Sequence, residues 1–224
     1  MLTVEFHCHT RFSADSLTKP ADLLDGCRAR GIDRVIITDH NTIAGALAAK
    51  ELDPERVIVG EEIMTTAGEL LAAFVLEEVP ARLPPMEAIR RLREQGAFIS
   101  VSHPFDRFRG GAWRRDDLLQ IAQYVDAIEV YNSRCTLPGF NQQAREFART
   151  HRIAGTVGSD AHAAFELGRA VLVVEDFSDA DSLRRVLAGG QATMRWSPPW
   201  FHFASRYAVL FKRVARNLDT QKQK

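Results

Sequence analysis

Residues 34–62 read RVIITDHNTIAGALAAKELDPERVIVGEE, and this stretch decides the fold. RVIIT and RVIVG are short β-branched runs, and IAGALAAKEL between them has the length and composition of a helix, so the segment reads strand, helix, strand. Strands joined in this way lie parallel in one sheet, with the connecting helix packed on its face. Each strand runs into polar residues, Asp39 and His40 after the first and Glu61 and Glu62 after the second. In parallel α/β folds the carboxyl ends of the strands form one common face, where sites are built.

The same alternation extends in both directions. LTVEF precedes ADLLDGCRARG; EAIRRLREQG leads to AFISVS, DDLLQIAQY to VDAIEVY, FNQQAREFART to IAGTVG, and RAVLVVE is followed by SDADSLRRVLAGG. About seven β/α units result, which predicts an α/β fold with a parallel sheet, either open and doubly wound or closed into a barrel. ELLAAFVLEE after TTAG is the exception and reads as a hairpin partner of EEIMTT. No repeat or low-complexity segment interrupts the pattern.

Polar residues gather at one end of these strands. His7 and His9 close the first; their i, i+2 spacing points them to one side, while Cys8 turns away into the core. His103 follows AFISVS, Glu129 and Asn132 lie in and after VDAIEVY, and Ser159, Asp160 and His162 follow IAGTVG. Five of the seven histidines therefore share one face. His151 and His202 fall outside it and read as surface residues. Imidazole mixed with carboxylate suits zinc, manganese or iron, and the cluster has more donors than one ion needs, so two or three divalent ions are expected.

Composition is that of a soluble chain: 224 residues, 46% hydrophobic and 26% charged, enough for one substantial core. No apolar run is long enough to span a bilayer and no signal peptide is evident, so a cytoplasmic location is expected. Cys8, Cys27 and Cys135 are odd in number and lack metal-ribbon spacing, which argues against a disulfide framework. The net charge of zero is uneven. Residues 201–224 hold six Lys/Arg and one Asp, so the last part of the chain is basic.

FHCHT, ITDHNT, GEEI, SHPFD and GSDAH, in this order and at these strand ends, resemble the PHP (polymerase and histidinol phosphatase) family over residues 3 to about 190. The resemblance implies a distorted (β/α)7 barrel over residues 1–195. It also implies a trinuclear metal centre that hydrolyses phosphate esters by attack of a metal-bridging hydroxide, with Glu62, Asp160 and His162 at its heart. Carried over by position, it puts one metal on His7, His9, Glu62 and Asp160, with Glu62 bridging to a second that His103 also binds. The third takes His40 and His162. Many relatives have a histidine where this chain has Glu69, a harder ligand that favours manganese, iron or magnesium over zinc. Asp15, in RFSADS, matches the position that completes the third metal.

Other residues on this face are candidates for support or recognition. Arg107 and Arg109 follow SHPFD and are suited to clamping phosphate oxygens. Asp39, Glu129 and Asn132 are supporting candidates, Glu129 as the partner of a histidine. Trp113 is a packing residue or a platform for a base. The substrate class is a small phosphomonoester, a nucleotide or an oligonucleotide end. The alternatives are a non-catalytic metal-stabilised interaction module and a metal-dependent amidohydrolase. Residues 196–224 form a basic tail whose amphipathic helix places Phe203, Tyr207, Leu210, Phe211, Val214 and Leu218 on one face, with Arg206, Lys212, Arg213 and Arg216 elsewhere. Docking on the barrel is its expected use, with a membrane surface or self-association through residues 201–218 as the others. The closing DTQKQK reads as disordered.

Overall fold

Nine strands and seven α-helices make up the described chain. The strands are β1 (Leu2–Cys8), β2 (Arg34–Ile37), β3 (Val57–Met64), β4 (Glu69–Ala73), β5 (Phe98–Val101), β6 (Ala127–Asn132), β7 (Ala154–Gly158), β8 (Ala170–Val174) and β9 (Gln191–Met194). The helices are α1 (Pro20–Ala29), α2 (Ala44–Leu52), α3 (Pro85–Glu94), α4 (Arg115–Ile121), α5 (Pro138–His151), α6 (Ala180–Val186) and α7 (Phe201–Lys222). The structure, a computed structural model, describes residues 1–222, with side chains to residue 215. Proline stands at the start of α1, α3 and α5, where its fixed φ favours the first turn and its missing N–H costs nothing.

The sheet order is β7-β6-β5-β4-β3-β2-β1-β8-β9. β1, β2 and β3 run parallel, as do β5, β6 and β7. Between these blocks β4 pairs antiparallel with both neighbours, the hairpin expected from the sequence. Past the end of β7 the chain returns to β1: Cys8 and Ala161 form a parallel bridge, and the His9 N–H donates to the Ala161 carbonyl at 2.8 Å. The barrel is thus nearly closed, and this closure brings the first motif against the last. Two features depart from seven uniform β/α units. β8 runs antiparallel to β1, and β9, which the sequence pattern does not announce, pairs antiparallel with β8.

Apolar packing fills both sides of the sheet. Leu23, Leu24, Ile37, Ile63, Leu92 and Ile99 are among the residues that join α1 to α5 to the strands, and Cys8 lies among them. Phe6, Ile36 and Phe98 join Leu183 and Leu187 in a second cluster beneath α6.

α7 docks on the barrel, though not by its broad apolar face. Phe201 and Ala208 are buried, the Arg169 guanidinium lies 5.1 Å from the Phe201 ring centre, and the Lys212 ammonium donates to the carbonyls of Arg11 and Ser13. Small residues let the helix axis approach closely, so the wide stripe of Phe203, Tyr207, Leu210, Phe211 and Val214 stays exposed. The Arg216 and Leu218 side chains lie outside the described part. The helix continues through residues 219–222, where the sequence reads as disordered, while Gln223 and Lys224 lie outside the described residues. Among the described residues no helix is long and apolar enough to cross a membrane.

Candidate metal centre

The carboxyl ends of β1, β2, β3, β5 and β7 bring His7, His9, His40, Glu62, His103, Asp160 and His162 to one place. His7 and His9 Nε2 lie 3.2 Å apart. Each faces the same two carboxylate oxygens: Glu62 Oε2 at 3.3 and 3.4 Å, and Asp160 Oδ1 at 3.6 and 3.2 Å. Ligand bonds of ~2.0–2.2 Å around one ion give donor-to-donor edges of roughly 3–3.5 Å, which these separations match. Glu62 Oε2, Asp160 Oδ1 and His103 Nε2 are buried and have no hydrogen-bond partner. Such atoms are costly unless something else meets them. The donor set therefore fits divalent cations.

Two further groups adjoin this one. His103 Nε2 lies 3.4 Å from Glu62 Oε1 and 3.4 Å from Glu69 Oε2, so Glu62 reaches both sides with its two oxygens. Asp15 Oδ2 lies 2.9 Å from His162 Nε2 and 3.6 Å from His40 Nε2, and His40 Nδ1 is 3.0 Å from Glu62 Oε2. Asp15, Glu69 and the five histidines all join the cluster. Glu69 is buried rather than facing solvent as a hairpin residue would. Most of the cluster is sealed. Asp15 and His40 side chains keep 26% and 23% exposure and Arg109 keeps 18%, so access is from their side.

Hydrogen bonds behind the histidines set which nitrogen carries the proton. The Ser13 hydroxyl donates to Asp39 Oδ1 at 2.7 Å and so accepts from His9 Nδ1, 3.1 Å away, leaving His9 Nε2 with a free lone pair. Asp39 also accepts from the Thr10 and Ser13 N–H groups, which makes it a support for the loop rather than a member of the cluster. His7 Nδ1 donates to Glu129 Oε1 at 2.9 Å, and His162 Nδ1 to the Asp160 carbonyl at 2.8 Å. Glu129 also accepts from the His103 N–H at 2.8 Å and from Asn132 at 3.0 Å, and Asn132 donates to Asp160 at 3.1 Å. Ser102 donates to Glu62 Oε1 at 2.6 Å.

Asp160 has φ +53°, in the left-handed region where Asp is tolerated better than most residues and strain collects at functional sites. Burial would raise its carboxyl, but Arg109 and then His7 hold it well below the usual carboxylate range. Glu62 is likewise held low against burial by His7 and His40. Glu69 goes the other way, raised by burial and by the neighbouring Glu62. Part of that rise is the repulsion between Glu62 and Glu69, which a cation between them would relieve.

Other expectations change in detail. Arg109 donates to Asp160, whereas Arg107 is exposed and lines a cavity with Trp113, Arg114 and Arg115. Trp113 is packing: its indole is buried and donates to the Glu69 carbonyl at 2.9 Å. His202 is no bystander. It is half-buried, in contact with Arg134 at 3.5 Å, and lines a cavity that also touches Asp15 and His162. Arg134 is not among the candidates read from the sequence, although it follows strand VDAIEVY just as Asn132 does. Ser13 and Ser102 carry no sequence signal that separates them from other serines.

The PHP domain model matches residues 5–96 and the PHP-associated model residues 138–192. Uncharacterized protein MJ0417 of Methanocaldococcus jannaschii is 37% identical over 174 residues, covering 76% of this chain and 70% of that protein. Among solved structures, PsfC from Pseudomonas syringae has a TM-score of 0.65 at 18% identity, over 96% of this chain and 98% of its own. A candidate metal-dependent phosphoesterase from Bifidobacterium adolescentis has a TM-score of 0.60 at 18% identity, over 82% and 95%. At these identities the two structures share the fold.

Proposed function

The chain belongs to the PHP domain family, and from that premise we propose that it is a metal-dependent phosphoesterase acting on a small phosphomonoester, a nucleotide or an oligonucleotide end. One observation carries the reading. His7 Nε2, His9 Nε2, Glu62 Oε2 and Asp160 Oδ1 converge at ion-binding separations with the guanidinium of Arg109 beside them. His7, His9, Glu62 and Asp160 would hold one ion, Glu62, Glu69 and His103 a second, and Asp15, His40 and His162 a third. Bound there, divalent ions supply Lewis acidity and make water a nucleophile near neutral pH.

The chain's own residues do the rest. Ser13, Glu129 and the Asp160 carbonyl hold the imidazoles in the tautomers that leave lone pairs facing inward. Arg109 spends one N–H on Asp160 and keeps others for phosphoryl oxygens. Three divalent ions would bring roughly two more positive charges than Asp15, Glu62, Glu69 and Asp160 return. That surplus matches a phosphate ester better than a neutral amide.

The test is to measure bound metals in the purified protein. Phosphomonoesters, phosphodiesters, nucleotides and short oligonucleotides are then screened with added manganese, beside His9→Ala. Release of phosphate or shortening of oligonucleotides by wild type alone is expected. Equal background rates for both proteins across the panel would leave a non-catalytic metal-stabilised module as the better description.

A further inference from the structure

The first turns of α7 form one wall of a cavity of about 460 Å³ whose opposite wall is the metal centre. Asp15, His162 and Arg109 line it from the barrel, His202, Ser205 and Arg206 from the helix, and Arg134 from the loop after β6. Arg134 is only 2% exposed. Its Nη2 donates to Ser205 Oγ at 2.7 Å and lies 3.5 Å from His202 Nδ1, its Nη1 is 3.3 Å from Glu166 Oε2, and its Nε has no partner. A guanidinium so deeply buried is stable when its charge and all its donors are met; here Nη1 pairs with both oxygens of the buried Glu166, at 3.4 Å to Oε1 and 3.3 Å to Oε2, and Nε is left over. Arg109 and Arg206 face the same space. The carboxylate that lines it, Asp15, is turned to His40 and His162.

Hydroxyl geometry completes the case. Ser205 Oγ accepts from Arg134, so its own proton is available to an oxyanion in the cavity. The wall is also held in register. Lys212 ties α7 to the loop that carries His9, Ser13 and Asp15, and the Ser197 N–H donates to the Ser133 carbonyl at 2.7 Å, just before Arg134.

We propose that this cavity binds a second oxyanion of the substrate, a carboxylate or phosphate carried by the leaving group, through Arg134, Ser205, His202 and Arg206. The word substrate rests on the phosphoesterase reading; the anion site does not. α7 is then part of the substrate site and selects esters whose leaving group carries its own oxyanion.

Binding tests this without turnover. Phenylphosphonate, para-carboxyphenylphosphonate and para-phenylene bisphosphonate are titrated by calorimetry into the full-length, manganese-loaded protein. At least one of the two probes with a second acidic group should bind about tenfold more tightly than phenylphosphonate, the effect of one charge-assisted contact set. Arg206→Ala and Ser205→Ala should each remove most of that advantage, and the probe that gains more names the oxyanion. Equal affinity for all three probes, or an advantage that survives both substitutions, overturns the site. Phosphate release from phenyl phosphate and from para-carboxyphenyl phosphate by wild type is measured in parallel. Absence of release from both with the binding advantage intact counts against the esterase reading alone, and release from either without the advantage counts against the anion site alone.

Discussion

Glu129→Gln replaces one carboxylate oxygen by an amide NH2 at a group that accepts from three donors: His7 Nδ1 on one oxygen, and the His103 N–H and Asn132 Nδ2 on the other. Glutamine has two ways to sit. With its NH2 toward His103 and Asn132, two buried donors face a donor, at about 1–3 kcal/mol each. With its NH2 toward His7, the ring must accept at Nδ1 and carry its proton on Nε2, which costs less but removes the lone pair aimed at Glu62 and Asp160. The second arrangement wins, so the variant should fold with little loss of stability and bind its ion 10- to 100-fold more weakly, the range for removing a partner behind a metal-bound histidine. Manganese titration by calorimetry measures the affinity, and nitrogen chemical shifts of His7 report the tautomer. Unchanged affinity with His7 still protonated at Nδ1 would refute the reasoning.

Gly111→Ala would place a Cβ 1.6 Å from Glu69 Oε2, so the flexible carboxylate must leave His103; metal analysis should show about one ion fewer per chain in a protein that still folds, and full occupancy would argue that Glu69 is not a ligand. Asp126 is far from the centre and accepts from Arg93, Arg184 and the Ile99 N–H. Burial would raise its carboxyl, but these partners depress it below the usual range, so its contribution is complete above the unfolded pKa and is lost as pH falls through the lower folded value. Asp126→Asn should therefore melt below wild type at neutral pH, by about 1–3 kcal/mol of stability, with the gap closing in acid; a gap independent of pH would contradict this. Ala208 is 2% exposed under α7, and Ala208→Glu should lift the helix, seen as faster limited proteolysis after residue 195 with metal content unchanged. Proteolysis at the wild-type rate would mean that the helix is held elsewhere.

The parts legible in the sequence share a physical property: they are local in the chain. His7 and His9 converge because a strand repeats every two residues, and the polar residues at the carboxyl ends of β2, β3, β5 and β7 gather because parallel strands end on one face. Their partners depend on contacts between distant segments. Ser13 matters because its hydroxyl lies between Asp39 and His9, and nothing in RFSADS marks it. β9 was missed because all four of its residues are exposed, so no alternation of apolar and polar positions betrays it. β8 was read as a strand, but its direction was not legible, since alternation does not distinguish parallel from antiparallel pairing.

α7 shows where a periodic reading picks the wrong face. Hydrophobicity counted around the helix selects Phe203, Tyr207, Leu210, Phe211 and Val214, yet these remain exposed and the docked residues are Phe201 and Ala208, with Lys212 reaching back to backbone carbonyls. A small residue such as Ala208 scores weakly on any hydropathy scale but permits close approach, and close approach is what sets Ser205 within 2.7 Å of Arg134. Had the broad apolar face docked instead, the bulk of Tyr207 and Phe211 would have held the helix further out, and Ser205 would not reach Arg134. The face that looks less favourable for burial is thus the one that docks and sets Ser205 in the second wall of the cavity, with Phe203 at its edge, and the exposure of the rest of the apolar stripe follows from that choice.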